Sequence, residues 1–226
     1  MAQEQKALSD ELVKLAMERL YVPVVCDVLD RMGIRVHAMH QRLRPLDGDN
    51  CRFIGPARTM HCITMEYIDD SDPYGVELEA CDSLKPGDVV VHSTDFQGSN
   101  APWGELMSTA ATMRGAVGCV CDSQVRDCKR IMELGFPVFA TGIKPVDSMG
   151  RGRVIAYDVP ILCGGITVHA GDIIFADYDG VAVIPRSVAR EAFETAVEKV
   201  DKENLSRQEL LEGRLLGEVY AKYGVL

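Results

Sequence analysis

Pro102-Trp-Gly-Glu-Leu-Met-Ser-Thr-Ala-Ala-Thr-Met-Arg-Gly115, followed by Ala116-Val-Gly-Cys-Val-Cys-Asp-Ser-Gln-Val-Arg-Asp127, decides the fold class. Proline suits the first turn of a helix, where its missing N–H has no role, so a helix is expected from Pro102 to about Arg114. The apolar run after Gly115 predicts a buried strand over Val117 to Cys121. A further helix is expected from Cys128 to Leu134, closed by Gly135. Helix, buried strand and helix in succession point to an α/β domain.

Outward from this stretch the pattern continues. Ser9 is placed to cap a helix carrying Leu12, Leu15, Ala16 and Leu20 at helical spacing, and a short helix is expected over Val24 to Met32. Phe53 to Thr64 reads as a strand with a bent, edge-like beginning at Gly55-Pro56, and Val89 to His92 as a buried one. Residues 66–75 form an acidic loop, followed by a helix over Val76 to Leu84. Gln97-Gly-Ser-Asn100 reads as flexible. Short strands follow: Val138-Phe-Ala, Val154 to Leu162, Ile166-Thr-Val, Ile173 to Ala176 and Val181 to Ile184, separated by turn residues. The tail from Ser187 to Tyr223 is helical, with Ala192, Ala196 and Val200 on one stripe.

The 226 residues are 47% hydrophobic and suffice for one core, so a single domain over 1–226 is expected, its core at about 20–186 and a helical tail at 187–226. A net charge of −10 and scattered basic residues argue against a nucleic-acid footprint. No apolar run approaches the roughly 20 residues of a membrane span. Cys26, Cys62, Cys119, Cys121 and Cys163 lie in apolar runs with no signal-like segment before them, and are expected to be reduced core residues of a cytoplasmic protein.

Chemistry concentrates at two places. In Asn100-Ala-Pro-Trp-Gly-Glu105 a small-residue loop enters a helix, whose first-turn N–H groups can face an anion; a plain helix start with Trp103 as core anchor is the alternative. At the carboxyl end of the next strand stand Arg126 and Asp127, where α/β proteins put ligands. Arg126 offers a planar fork for a carboxylate, and Asp127 a hard oxygen for Mg²⁺ or Mn²⁺. Equally open from these residues is that Asp127 caps a helix and Arg126 pairs with a nearby acid. His37 and His40 read as an exposed pair without a third ligand, and Asp70-Ser-Asp72 as solvated acid. G-x-G-x-x-G, Walker A, H-E-x-x-H and G-x-S-x-G are absent, and Lys85, Lys129 and Lys144 lie in turns or on polar faces unsuited to Schiff-base chemistry.

Gly104-Glu105, Gly118-Cys-Val-Cys-Asp122, Val125-Arg126-Asp127, Gly135-Phe-Pro-Val-Phe139, Gly171-Asp-Ile-Ile and Asp179-Gly-Val-Ala-Val-Ile-Pro185, in this order, resemble the 4-hydroxy-4-methyl-2-oxoglutarate / 4-carboxy-4-hydroxy-2-oxoadipate aldolase and RraA-like family over roughly residues 20–205. The resemblance implies a swivelling β/β/α domain with N- and C-terminal helices, assembled as a homotrimer or dimer of trimers with sites between subunits. It implies a class II, divalent-metal-dependent lyase releasing pyruvate from small 4-hydroxy-2-oxo acids, with oxaloacetate decarboxylation through the same enolate. Asp127 would bind Mg²⁺ or Mn²⁺ directly and Glu105 through water. Arg126 would hold the pyruvyl carboxylate, assisted by the backbone of Pro102, Trp103, Gly104 and Glu105. An acid from a neighbour's C-terminal helix, matched to Glu203 with Glu198 as alternative, would complete the site.

Two departures from the family pattern stand out: Arg130 where an acid is common, and the acidic insertion at 66–75. The resemblance also admits a non-catalytic regulator that inhibits a ribonuclease. The long helical tail favours the aldolase group. A quinone-synthesis methyltransferase, a label attached to some such sequences, lacks the expected glycine-rich nucleotide loop.

Overall fold

A computed structural model describes residues 8–94 and 100–225. The chain divides into two compact units: Met1–Arg35 with Ser187–Leu226, and Val36–Arg186.

The larger unit is a mixed sheet whose two faces are both buried. Its centre is parallel: β2 (Phe53–Thr64) beside β3 (Val89–Thr94), β4 (Gly118–Val125) and β5 (Val138–Ile143). The short β1 (Arg44–Pro45) lies antiparallel outside β5. On the other side β2 pairs antiparallel with β9 (Ile173–Asp177), and β9 with β10 (Gly180–Ile184). β6 (Gly152–Tyr157) pairs with the far end of β2, and β7 (Ile161–Cys163) with β8 (Ile166–Val168) forms a separate hairpin. Helices α3 (Glu77–Asp82), α4 (Glu105–Met113) and α5 (Cys128–Leu134) are the crossovers between parallel strands or lead into them.

Strand alternation sorts the core into two layers. Val89, Val91 and Val120 face a cluster with Phe53, Phe139, Ile161, Val168 and Ile174 from the β-rich side. Val90, Cys119 and Cys121 face the helical side, among Ala80, Ala111, Trp103 and Ile131. Strands buried on both faces read as unbroken apolar runs, which is why Val89-Val-Val and Gly118-Cys-Val-Cys carry almost no polar residues. Phe53 and Phe139 meet edge to face, centroids 5.8 Å apart. Gly118 makes room for them, since a Cβ there would lie 2.5 Å from the Phe53 ring.

The smaller unit contains α1 (Asp10–Arg19), α2 (Val22–Arg31), α6 (Ala189–Leu211) and α7 (Leu216–Tyr223). Ser9 caps α1, accepting from the Leu12 N–H at 3.2 Å. Inside this unit Lys199, buried, donates to Asp27 at 2.7 Å and pairs with buried Glu203, which also accepts from the Tyr21 hydroxyl. Burial lowers the Lys199 pKa, but the Asp27 and Glu203 contacts outweigh it and the net shift is upward. Burial and the bond to Glu203 push the Tyr21 phenol up to about 12.

Several expectations need correction. Pro102 stands outside the helix, which begins at Glu105 with Gly104 as its N-cap; Ala101 and Trp103 are tied instead to backbone of neighbouring segments, so the proline sits in an extended lead-in. The strand after Gly115 runs to Val125, because backbone pairing with β5 resumes at Gln124 and Val125. β2 is central, not edge-like: its first four residues pair with β9 and residues 57–62 with β3, so Gly55-Pro56 marks a change of partner. α2 starts at Val22, with Pro23 in its first turn. Asp158, with a φ of 54°, splits the expected strand over Val154 to Leu162 into β6 and β7. The helical tail breaks at Glu212-Gly213. His37 is buried, so the expected exposed histidine pair is not one. Residues 97–99 of the stretch read as flexible lie outside the described residues.

None of the eight cysteines forms a disulfide, and six are buried, Cys26 and Cys128 only partly so. Burial pushes the Cys119 and Cys121 thiols well up, and Cys81 up to about 12. Among the described residues no helix is long and apolar enough to cross a membrane.

Candidate active site

The end of β4 sets the site. Arg126 follows the strand directly, its N–H bonded to the Trp103 carbonyl at 3.0 Å, while Trp103 and Val125 form a parallel bridge. This pins the loop before α4 against the strand exit. Trp103 is fully buried, its indole donating to Ser108 at 2.9 Å. Its side chain is the core anchor, its carbonyl is taken by the Arg126 N–H, and it does not line the cleft, so the expected substrate contact at Trp103 is not seen. Pro102 lines the cleft without an N–H to give, so the amide contribution falls to Gly104 and the first turn of α4.

Asp127 is in the left-handed region at φ 56°, ψ 28°. Asp tolerates this conformation better than most residues, yet such positions concentrate at functional sites. By position it is the N-cap of α5, but its side chain makes no cap bond there. The carboxylate turns instead across to α4, where Oδ2 accepts from the Glu105 N–H at 3.4 Å. Gly104 permits this: a Cβ at 104 would lie 2.9 Å from Asp127 Oδ2 and 3.1 Å from Arg126 Cγ. The missing side chain at Gly104 therefore lets an acid, an arginine and a helix start come together.

Arg126 is 3.8 Å through Nε from Asp127 Oδ2 and 3.3 Å through Nη2 from Asp147 Oδ1. The expectation of a nearby acid for Arg126 thus holds alongside its place in the cleft. Glu105 accepts from the Thr109 hydroxyl one turn along α4 at 2.9 Å. Together these residues line a cleft of about 220 Å³ with Tyr74, Glu77, Leu78, Leu106, Met107 and Ser148. Tyr74 donates to Asp147 Oδ2 at 3.2 Å; burial, and then the charge of Asp147, raise its pKa.

Tyr74, Glu77 and Asp147 were not legible as site residues. Tyr74 belongs to the segment read as solvated acid and Glu77 to the helix expected after it, and the signal that could have found them is the segment's pairing partner: Arg153 binds both Asp69, at 3.2 Å, and Asp72. Glu203, expected to reach a neighbour's site, is engaged with Lys199 and Tyr21 within its own helical unit. Glu198 lies on the same helix, α6. Arg130 lies in α5 with its N–H bonded to the Asp127 carbonyl at 2.9 Å.

Comparison with known proteins follows the same lines. Residues 22–183 match the model of the RraA-like family, described as Aldolase/RraA. A protein of Halalkalibacterium halodurans named "Putative 4-hydroxy-4-methyl-2-oxoglutarate aldolase" is 31% identical over 182 residues, covering 79% of this chain and 80% of that one. The crystal structure of Streptomyces coelicolor RraAS2, described as an unusual member of the RNase ES inhibitor RraA family, superposes with a TM-score of 0.78 at 28% identity over 91% of this chain and 99% of that one. A structure solved among "novel cellulases from microbes associated with the gut ecosystem" gives a TM-score of 0.82 at 27% identity, covering 90% of each chain. The chain belongs to the RraA-like, Aldolase/RraA family and has its α/β fold, a swivelling β/β/α domain with N- and C-terminal helices.

Proposed function

We propose that the chain is a divalent-metal-dependent lyase that cleaves 4-hydroxy-2-oxo acids to release pyruvate, with oxaloacetate decarboxylation as a second activity of the same cleft. The observation that carries this reading is the placement of Asp127: a left-handed aspartate whose carboxylate leaves its own helix for the cleft beside Arg126.

The donor set suits a hard cation that keeps most of its waters. Asp127 is half-exposed at the cleft and Glu105 follows Gly104 on the adjoining helix, while among the described residues no three His, Cys, Asp or Glu side chains form a metal cage. Mg²⁺ and Mn²⁺ are commonly held by one or two carboxylates with water and substrate completing the octahedron. Asp127 would hold the ion directly and Glu105 through water, and the ion would supply Lewis-acid stabilisation of developing negative charge.

The chain's own residues do the rest. Arg126 grips the substrate carboxylate with its fork, and Asp147 keeps that fork aimed. When the C3–C4 bond breaks, its electron pair passes into the pyruvyl half as an enolate and the C4 hydroxyl becomes a carbonyl, its proton passing to water in the cleft, from which C3 is later protonated. First-turn N–H groups of α4 and the guanidinium are placed to favour that charge. Protonation at C3 then yields pyruvate.

In this reading the active form is a homotrimer or a dimer of trimers, with Glu203 from a neighbouring subunit, or Glu198, completing the water shell. Exposed Leu211, Leu215, Leu216 and Tyr220 give the helical unit an apolar surface for such assembly. A second reading, a protein that binds and inhibits a ribonuclease, is supported by the likeness to the Streptomyces RraA relative. Pyruvate release from a panel of 4-hydroxy-2-oxo acids and oxaloacetate, with Mg²⁺ and with EDTA, tests the lyase. Mg²⁺-dependent release supports it; none across the panel favours the regulator.

A further inference from the structure

Among the described residues four acids line the cleft, and three of them are committed to neighbours: Asp127 accepts from the Glu105 N–H, Glu105 from Thr109, and Asp147 is divided between Arg126 and the Tyr74 hydroxyl. Glu77 is the fourth. It opens α3, is 4% exposed, and its Oε1, out of solvent, makes no hydrogen bond among the described residues. That oxygen lies 3.6 Å from Nε2 of His92, a residue of β3 that is fully buried. Neither ring nitrogen of His92 has a hydrogen-bond partner among the described residues.

Buried side-chain oxygens and nitrogens are nearly always bonded, so a carboxylate and an imidazole left unbonded side by side call for an explanation. Both are held firmly. His92 stands in register between Met60 of β2 and Cys121 of β4. On the other side Gly75 bridges to Val154 and the Val76 N–H bonds the Val154 carbonyl at 3.1 Å; a Cβ at Gly75 would lie 2.1 Å from that carbonyl. Arg153, the preceding residue of β6, ties down Asp69 and Asp72. The acidic insertion is thereby fixed so that Glu77 reaches the cleft wall with His92 behind it. All of these residues lie within the larger unit, and the burial of the pair is complete in one chain.

Cleavage of a 4-hydroxy-2-oxo acid needs a group that takes a proton from the C4 hydroxyl and one that gives a proton to C3. Tyr74 is unsuited to take it, since burial and the charge of Asp147 raise its pKa, and Asp127 and Glu105 are assigned to the cation. Resting on the lyase reading, we propose that Glu77, backed by His92, accepts the C4 hydroxyl proton through a water in the cleft and returns it to C3 of the enolate. The C4 O–H bond breaks as the C4 carbonyl forms and the C3–C4 electron pair moves into the enolate. While held, the proton sits on the carboxylate or on the imidazole; its delivery to C3 restores the starting pair, so none is gained or lost over the cycle. His92 acts here as a positioning residue.

Two reactions of the cleft separate this role from a structural one. Exchange of the pyruvate methyl protons in D₂O requires a proton to be taken from the substrate, whereas decarboxylation of oxaloacetate forms the same enolate by releasing CO₂. With Mg²⁺ present, Glu77→Gln should slow exchange by about 10², the scale of a general acid–base group, with KM for pyruvate within about threefold of wild type. Exchange should also fall at least about tenfold further than decarboxylation. His92→Gln should move the same ratio in the same direction, and Glu77→Asp should restore part of the exchange; thermal midpoints identify the variants that are folded and carry the test. Exchange by folded Glu77→Gln within about threefold of wild type, or an equal loss in both reactions, overturns the inference and leaves the lyase reading standing. A wild type without exchange removes the lyase reading and the inference with it.

Discussion

The Asp127 carboxylate accepts a hydrogen bond from the Glu105 backbone N–H at 3.4 Å, joining the exit of β4 to the start of α4 and leaving α5, the helix Asp127 precedes, without a side-chain cap. A residue serving only as a helix cap would bond its own first turn. Asp127→Asn keeps the shape and the tolerance of left-handed backbone but removes the charge. Turnover should fall by about 10² or more, in keeping with loss of a charged group at a reacting centre, while the thermal midpoint stays within a few degrees. Comparable turnover in the variant would place the metal elsewhere.

Gly104 is required by proximity. Its backbone is extended, so alanine brings no conformational penalty, only a Cβ 2.9 Å from Asp127 Oδ2. Gly104→Ala is expected to lower kcat by about tenfold or more by displacing Asp127 and Arg126, with a stability cost of about 1 kcal/mol, the low end for added volume at a buried position, because the atoms it meets are side-chain atoms that can shift. Steady-state kinetics beside urea unfolding separates the two effects.

Arg126→Lys retains a positive charge and loses the fork. KM for the oxo acid should rise and kcat fall, because the grip on the carboxylate and the aim toward the enolate both depend on two parallel N–H groups. Near-normal kinetics would show that the carboxylate is held by another group.

Buried thiols give the fold a pH signature. The Cys81, Cys119 and Cys121 pKa values are raised above the ordinary 9.0 in the folded chain, chiefly by burial. The unfolded chain therefore loses protons first as pH rises, and the stability these thiols contribute is complete below pH about 9 and declines above it. Urea midpoints should be flat from pH 7 to 8 and fall between pH 9 and 10. Cys121→Ala should flatten that decline, and an identical slope would assign it to other groups.

Glu203 can be read by a pair of substitutions. Removing its charge with Glu203→Ala leaves the buried Lys199 ammonium with Asp27 alone, and breaking a buried pair typically costs about 3–5 kcal/mol. Glu203→Gln retains hydrogen bonding to Tyr21 and should soften that loss. If Glu203 also serves a neighbour's site, the Gln variant loses activity at unchanged oligomer mass by light scattering; full activity returns Glu203 to a packing role.

The sequence carried its clearest information where both faces of a strand are buried and where a helix has explicit stop signals. β2, α5 and the Gly135 terminus were legible to the residue because Phe53 to Thr64 and Cys128 to Leu134 are bounded by unambiguous turn chemistry. The extent of β4 was not, since Asp122, Ser123 and Gln124 look like loop and are held in the strand by pairing across the sheet. Asp127 could be named because it precedes the readable α5, whereas Arg126 and Glu105 were named from their side-chain chemistry and the family motif, since the end of β4 and the start of α4 were not legible. Tyr74, Glu77 and Asp147 could not, because long-range pairing to Arg153 and Arg126 places them, and no local spacing records that.

The most direct test of the central claim is exchange of the pyruvate methyl protons for deuterium in D₂O, followed by proton NMR with Mg²⁺ present. A cleft that forms the pyruvate enolate must catalyse this exchange whatever acceptor half its natural substrate carries. The account predicts exchange about 10² or more above buffer, the scale expected of positioned catalytic groups, abolished by EDTA and by Asp127→Asn. Exchange no faster than buffer in the intact, Mg²⁺-loaded protein would contradict it.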